Sequence, residues 1–75
     1  MTGDFAEHDV VALAVNVPKL DALGIKPGAV GTVVHIYSKT PGGHATAYEV
    51  EFTDDTGKTI CTASLKPGEL DNAWA

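Results

Sequence analysis

The sequence contains no arginine. All five of its basic residues are lysines, and with ten acidic residues they give a net charge of −5. Arginine is the residue that most often binds phosphate and guanine through paired hydrogen bonds, and an acidic chain is repelled by a phosphate backbone. The acidic residues are dispersed, with Asp54 and Asp55 as the only adjacent pair, so they form no acidic tail. We therefore expect no nucleic-acid partner.

Cysteine and long apolar segments are equally scarce. Cys61 is the only cysteine, so no disulfide can form within the chain and a reducing compartment is expected. No apolar run approaches the roughly 20 residues that a helix needs to cross a bilayer. The N-terminal stretch MTGDFAEHD has neither the basic nor the apolar segment of a signal peptide. These features predict a cytoplasmic protein that has no membrane association.

Aromatic residues make up only 7% of the 75 residues, whereas 44% of the residues are apolar. A core must therefore be built mainly from valine, leucine, isoleucine and alanine. A chain of this length is expected to form one domain over residues 1–75, with an ordered core at about 8–72. Domains of this size bury only about 60% of their unfolded surface, so a partner would add useful stability.

Apolar and polar residues alternate most regularly in AYEVEFT, residues 47–53. Tyr48, Val50 and Phe52 predict a core face, and Glu49 and Glu51 a solvated face. Further strands are predicted at 9–17, 29–37, 58–65 and 70–72, and a 3₁₀ turn at 66–69. In the first strand the candidate core residues share one parity: Val11, Leu13, Val15 and Val17.

The long connection at 18–26 is expected to cover the core, and the sequence allows one helical turn at 20–23. The residues expected to pack downwards from this connection are Leu20, Leu23 and Ile25. Pro27 and Gly28 predict a tight turn. Gly31, within a β-branched run, indicates a bulge, a bend or a close approach by another backbone, which would let the sheet curl on itself.

Short strands separated by turn residues, without any long helical period, predict an all-β fold. The order of strand, long loop, strand, loop, strand, tight hairpin, strand, 3₁₀ turn and short strand is that of a small five-stranded SH3-like barrel. The main alternative is an open five-stranded sheet that dimerises through an edge strand.

Several segments together resemble one family of small bacterial proteins that is catalogued as a domain of unknown function. These segments are DVVAL (9–13), Pro18, GAVGTVV (28–34), YEVEF (48–52), Asp54 with Gly57, and LKP (65–67) with Leu70. The resemblance implies the SH3-like fold and carries over no catalytic residues. Some relatives look like partners of neighbouring toxin-like genes, which implies an antitoxin or immunity role. The G-x-x-G-x-V pattern is more distantly similar to KOW-type domains and to the SH3-like domain of the nitrile hydratase β subunit.

The candidates for chemistry are three histidines, His8, His35 and His44, together with Cys61. None has the i, i+4 spacing of helical metal ligands or a C-x-x-C partner, so no metal site, cofactor or catalytic residue is predicted. A lone cysteine on a strand is most often a small core residue. A small-ligand or metal-binding barrel that uses His35 and His44 is the alternative.

These features favour a non-enzymatic module that binds another protein or itself as a homo-oligomer, with an antitoxin or immunity role as one version. The expected contact surfaces are the loops at 18–26 and 37–46 and the acidic strand face. The candidate interaction residues are Leu20, Leu23, Tyr37, His44, Glu49, Glu51 and Trp74. KOW-like nucleic-acid binding is the second alternative, which the acidic, arginine-free composition disfavours.

Overall fold

Five antiparallel strands form one sheet in the structure, a computed structural model that describes residues 5–73. The elements in chain order are β1 (Val10–Leu13), α1 (Pro18–Asp21), β2 (Val30–Ser38), β3 (Ala45–Thr53), β4 (Thr59–Leu65), a 3₁₀ turn (Pro67–Glu69) and β5 (Leu70–Asn72). The strand order across the sheet is β4-β3-β2-β1-β5, which is the SH3-like order. The predicted all-β fold, with a 3₁₀ turn before the last strand, is confirmed.

The core lies on one side of this sheet. Tyr48, Val50 and Phe52 on β3 are at most 1% exposed, so the alternation in AYEVEFT is confirmed. The other buried apolar residues are Val11, Leu13, Leu20, Ile25, Val33, Leu65 and Leu70. All five strands, and the helical turn through Leu20, thus contribute to one mostly aliphatic cluster.

Strand β1 is shorter than predicted, and the expected core positions Val15 and Val17 lie beyond its end. Val15 is 40% exposed, and Val17 is only half-buried. The reason is the length of the partners: Leu13 pairs with Leu70, the first residue of the three-residue strand β5, so no ladder continues past it. Alternation in the sequence persists where pairing has already stopped.

The connection at 18–26 covers the core with two residues rather than three. Its helical turn begins at Pro18, earlier than the predicted 20–23, and Leu20 and Ile25 are buried. Leu23, predicted to pack downwards, is 53% exposed. Gly24 has φ of +82°, a left-handed conformation that reverses the chain after the turn and returns Ile25, instead of Leu23, to the core.

Gly31 marks a close approach of two strands, as predicted. A Cβ at this position would lie 2.6 Å from Cγ1 of Val50 and 2.9 Å from the carbonyl oxygen of Glu51. The β-bulge lies further along β2, where the register with β3 shifts between Val33 and His35. Val34 occupies the bulge, and its apolar side chain is therefore 40% exposed.

Two predicted turns are present. Ala29 N donates to Lys26 O (2.9 Å) around Pro27 and Gly28, and Gly28 has the positive φ that a type II turn requires. The hairpin between β3 and β4 is closed by Gly57 N, which donates to Asp54 O at 3.0 Å. None of the helical residues within 5–73 belongs to a helix of membrane-spanning length and apolarity.

Candidate functional site

The outward side of β2, β3 and β4 carries four of the polar side chains that the sequence analysis singled out, His35, Tyr37, Glu49 and Glu51. We call this the outer face and define it by Thr32, His35, Tyr37, Glu49, Glu51, Thr62 and Ser64. Glu49 lies between His35 on β2 and Ser64 on β4, and Glu51 lies between Thr32 and Thr62. The outer face is therefore centred on two carboxylates with uncharged or weakly basic neighbours.

Glu49 accepts two hydrogen bonds at the same oxygen. Ser64 Oγ donates to Glu49 Oε1 at 2.7 Å, and Tyr37 Oη donates to it at 3.2 Å. The pKa of Glu49 is lowered, mainly by the hydrogen bond from the Ser64 hydroxyl, and partial burial opposes this shift. The hydroxyls of Thr62 and Tyr37 and the charge of His35 lower the pKa further. Glu49 is consequently ionised at neutral pH.

On the outer face, the two carboxylates accept hydrogen bonds from hydroxyl groups rather than from cationic side chains. Thr59 Oγ1 donates to Glu51, and the ring of His35 meets the ring of Tyr37 edge-on at 4.6 Å between centroids. Across residues 5–73, the only side-chain salt bridge joins Lys26 Nζ to Asp21 at 2.6 Å, away from these carboxylates. The negative charge on this face is thus available to a cation from outside the chain.

A groove of about 510 Å³ runs between α1 and β4, and we call it the α1–β4 groove. Its apolar wall consists of Val17, Leu20 and Leu23, and Lys19 also lines it. The opposite wall is the stretch 61–65 of β4, with Glu49 at the boundary with the outer face. The groove brings together three predicted interaction residues, Leu20, Leu23 and Glu49.

The remaining predicted residues lie in different places. Tyr37 is 41% exposed and touches the groove only through its hydrogen bond to Glu49. Glu51 lies on the outer face beyond the groove, and His44 lies in the exposed loop between β2 and β3. Trp74 falls outside the described residues.

The histidines and Cys61 do not assemble into a ligand cluster in the described chain. Over residues 5–73, no group of three or more histidine, cysteine, aspartate or glutamate side chains could hold a metal ion. His8 is exposed in a left-handed conformation (φ 73°), and its backbone N–H donates to Val33 O. Cys61 is half-buried and packs against the core, as a lone strand cysteine was expected to do.

The comparisons with known proteins identify the family. The model of a family described as a domain of unknown function, DUF4926, matches residues 7–72. The chain belongs to the DUF4926 family. The expected resemblance is thereby confirmed, and the match includes all five strands of the DUF4926 domain. No curated protein and no solved structure matches the chain.

Sequence reasoning missed the part that β4 plays in this DUF4926 domain. Thr62 and Ser64 lower the pKa of Glu49, and residues 61–65 form one wall of the α1–β4 groove. In β4, Ile60 lies at a register shift and is 42% exposed, whereas the inward parity begins at Cys61, so the alternation of apolar residues does not identify a core face. The absence of any charge from 59 to 65 was the signal that could have drawn attention to this strand.

Proposed function

We propose that this DUF4926 chain is a non-enzymatic protein-interaction module that binds a basic segment of another protein at the α1–β4 groove. The observation that supports this proposal most is that an exposed leucine and an ionised carboxylate line the same groove. Leu23 offers apolar surface that a partner can remove from water, and Glu49 offers a charge that fixes where a cationic group binds.

The charge of the whole chain favours the same class of partner. A net charge of −5 attracts a basic protein over distances of about a Debye length and speeds its association. Glu49 and Glu51 lie next to each other on the outer face, and hydroxyl groups orient both of them. A lysine or arginine that arrives at this place finds oriented oxygens, so little side-chain ordering remains to oppose binding.

The shape of the α1–β4 groove favours a stretch of polypeptide. The groove follows β4 over residues 61–65, which at about 3.3 Å per residue is a length of roughly 16 Å. That length suits an extended segment of about five residues. The role implied by the family resemblance, an antitoxin or immunity protein, is one version of the proposal, with a basic toxin-like protein as the partner.

The test is a comparison of tagged variants recovered from the native host. Leu23→Asp places a charge in the groove at a residue that contributes little to the core, and Val15→Asp is the matched control. Val15 is an apolar residue of similar exposure that does not line the α1–β4 groove.

We expect the wild-type chain and Val15→Asp to recover the same protein, and Leu23→Asp to lose it. Wild-type chain that runs as a strict monomer and recovers no partner would contradict the proposal, as would equal recovery by all three forms. A dimer of the chain alone, abolished by Leu23→Asp, would assign the groove to self-association instead of a basic partner.

A further inference from the structure

The two edges of the sheet differ in how they are protected from pairing. β5, at one edge, has only three residues, and one of them is the exposed Asp71. β4, at the other edge, has seven residues, and within residues 5–73 it pairs only with β3. Its sequence, TICTASL, has no charged residue and no proline. Edge strands of monomeric proteins usually carry such residues because unpaired backbone groups otherwise recruit another strand.

We propose that the free edge of β4 binds an extended basic segment of the partner as a sixth strand of the sheet. This inference rests on the proposed function and adds its mode of recognition. In strand addition, main-chain hydrogen bonds supply affinity and alternate side chains supply specificity. The α1–β4 groove lies along the same edge, so the added strand would occupy it.

The geometry of β4 limits the added strand to a defined stretch. The ladder with β3 is regular from Leu65, which pairs with Tyr48, to Cys61, which pairs with Phe52. The register then shifts between Phe52 and Thr53. A strand that pairs with β4 therefore finds a regular edge from 61 to 65 and loses it at Ile60, because the local twist increases at a bulge.

The inward and outward sides of β4 favour different side chains in the added strand. On the inward side, alternate residues of the added strand would lie over Leu20 and Leu23, which favours apolar residues. On the outward side they would lie beside Thr62 and Ser64, two strand spacings or about 10 Å from β3. Lysine or arginine side chains are long enough to reach Glu49 from there. The predicted segment alternates basic and apolar residues.

The same charges argue against a second copy of the chain as the occupant. Pairing of β4 with the β4 of another copy would bring together two outer faces, each with Glu49 and Glu51. Two chains of net charge −5 also repel each other. A basic strand from a different protein would avoid both the repulsion between outer faces and the repulsion between whole chains.

The probe is a synthetic peptide of alternating lysine and valine, with an alternating glutamate and valine peptide as its control. The variant is Thr62→Lys, which adds a charge at an exposed position of the edge, and the control variant is Val15→Lys. Affinity is measured by fluorescence anisotropy on the full chain, and amide hydrogen exchange locates the binding. Circular dichroism establishes that both variants are folded.

We expect the lysine peptide to bind wild type and Val15→Lys equally, and Thr62→Lys at least tenfold more weakly. Alternate amides of residues 61–65 should exchange more slowly in the complex. Strand addition is overturned if the peptide does not bind, if the glutamate peptide binds as well, or if β4 amides keep their exchange rates. The proposed function is tested by recovery of a partner from the host, which uses no peptide. A failure of strand addition is therefore distinguishable from a failure of the proposed function.

Discussion

Substitution of Gly31 by alanine tests how closely the strands of this sheet pack. An ideal Cβ at this position lies 2.6 Å from Val50 Cγ1, 2.9 Å from Glu51 O and 3.1 Å from Phe52 Cδ1. The valine side chain is fully buried and the glutamate atom belongs to the backbone, so neither can move freely. In an open strand position the same change would be stabilising because alanine has less backbone entropy to lose than glycine.

Overpacking of a core by one methyl group typically costs about 1–3 kcal/mol. In a domain of this size each kcal/mol lowers Tm by about 4–8 °C, so a loss of ~2 kcal/mol would lower Tm by roughly 8–16 °C. The control is Gly68→Ala, because a Cβ there meets no atom within 4 Å and the residue has no positive φ.

The assay is thermal and urea unfolding of wild type, Gly31→Ala and Gly68→Ala, followed by circular dichroism. We expect a clear loss of stability for Gly31→Ala and a change within about 0.5 kcal/mol for Gly68→Ala. Equal stabilities for the two variants would refute the close approach of β2 and β3 at Gly31.

Three further outcomes follow from the same contacts. Because the pKa of Glu49 is lowered in the folded chain, Glu49 stabilises the fold at pH values above its unfolded pKa, and this stabilisation is lost as the pH falls through its folded pKa. Ser64→Ala should raise the Glu49 pKa in an NMR titration, and an unchanged titration would contradict the Ser64 contact. Tyr48→Phe removes the acceptor of the Phe5 backbone N–H (3.1 Å) and should cost about 0.5–1.5 kcal/mol in urea unfolding, whereas no loss would mean that the N–H finds water instead. Leu23→Asp should change the free energy of unfolding by less than about 0.5 kcal/mol, and a larger loss would show that Leu23 packs in the core.

The fold could be predicted where a local sequence pattern specifies the structure. The alternation around Tyr48, Val50 and Phe52 specifies a face, and Gly57 marks a hairpin turn. The end of β1 could not be predicted in this way. Val15 continues the alternation, but pairing stops at Leu13 because the neighbouring strand β5 is short, and local sequence contains no information about a partner's length.

The candidate site was predicted less completely because it depends on register. Glu49 was identified from its strand, but its contact with Ser64 requires the alignment of β3 with β4, which includes a shift near Thr53. Leu23 was identified as apolar and expected to be buried, whereas the positive φ of Gly24 leaves it exposed in the groove. Leu23 is exposed, and so able to contact a partner, because the chain reverses at Gly24.

The most direct test of the binding surface is amide hydrogen exchange on the full chain, alone and bound to the protein recovered from its host. Binding at the α1–β4 groove predicts slower exchange at residues 61–65 and around Leu23, with β5 unchanged. Protection confined to β5 or to the loop at 39–44, with exchange in β4 unaltered, would contradict it.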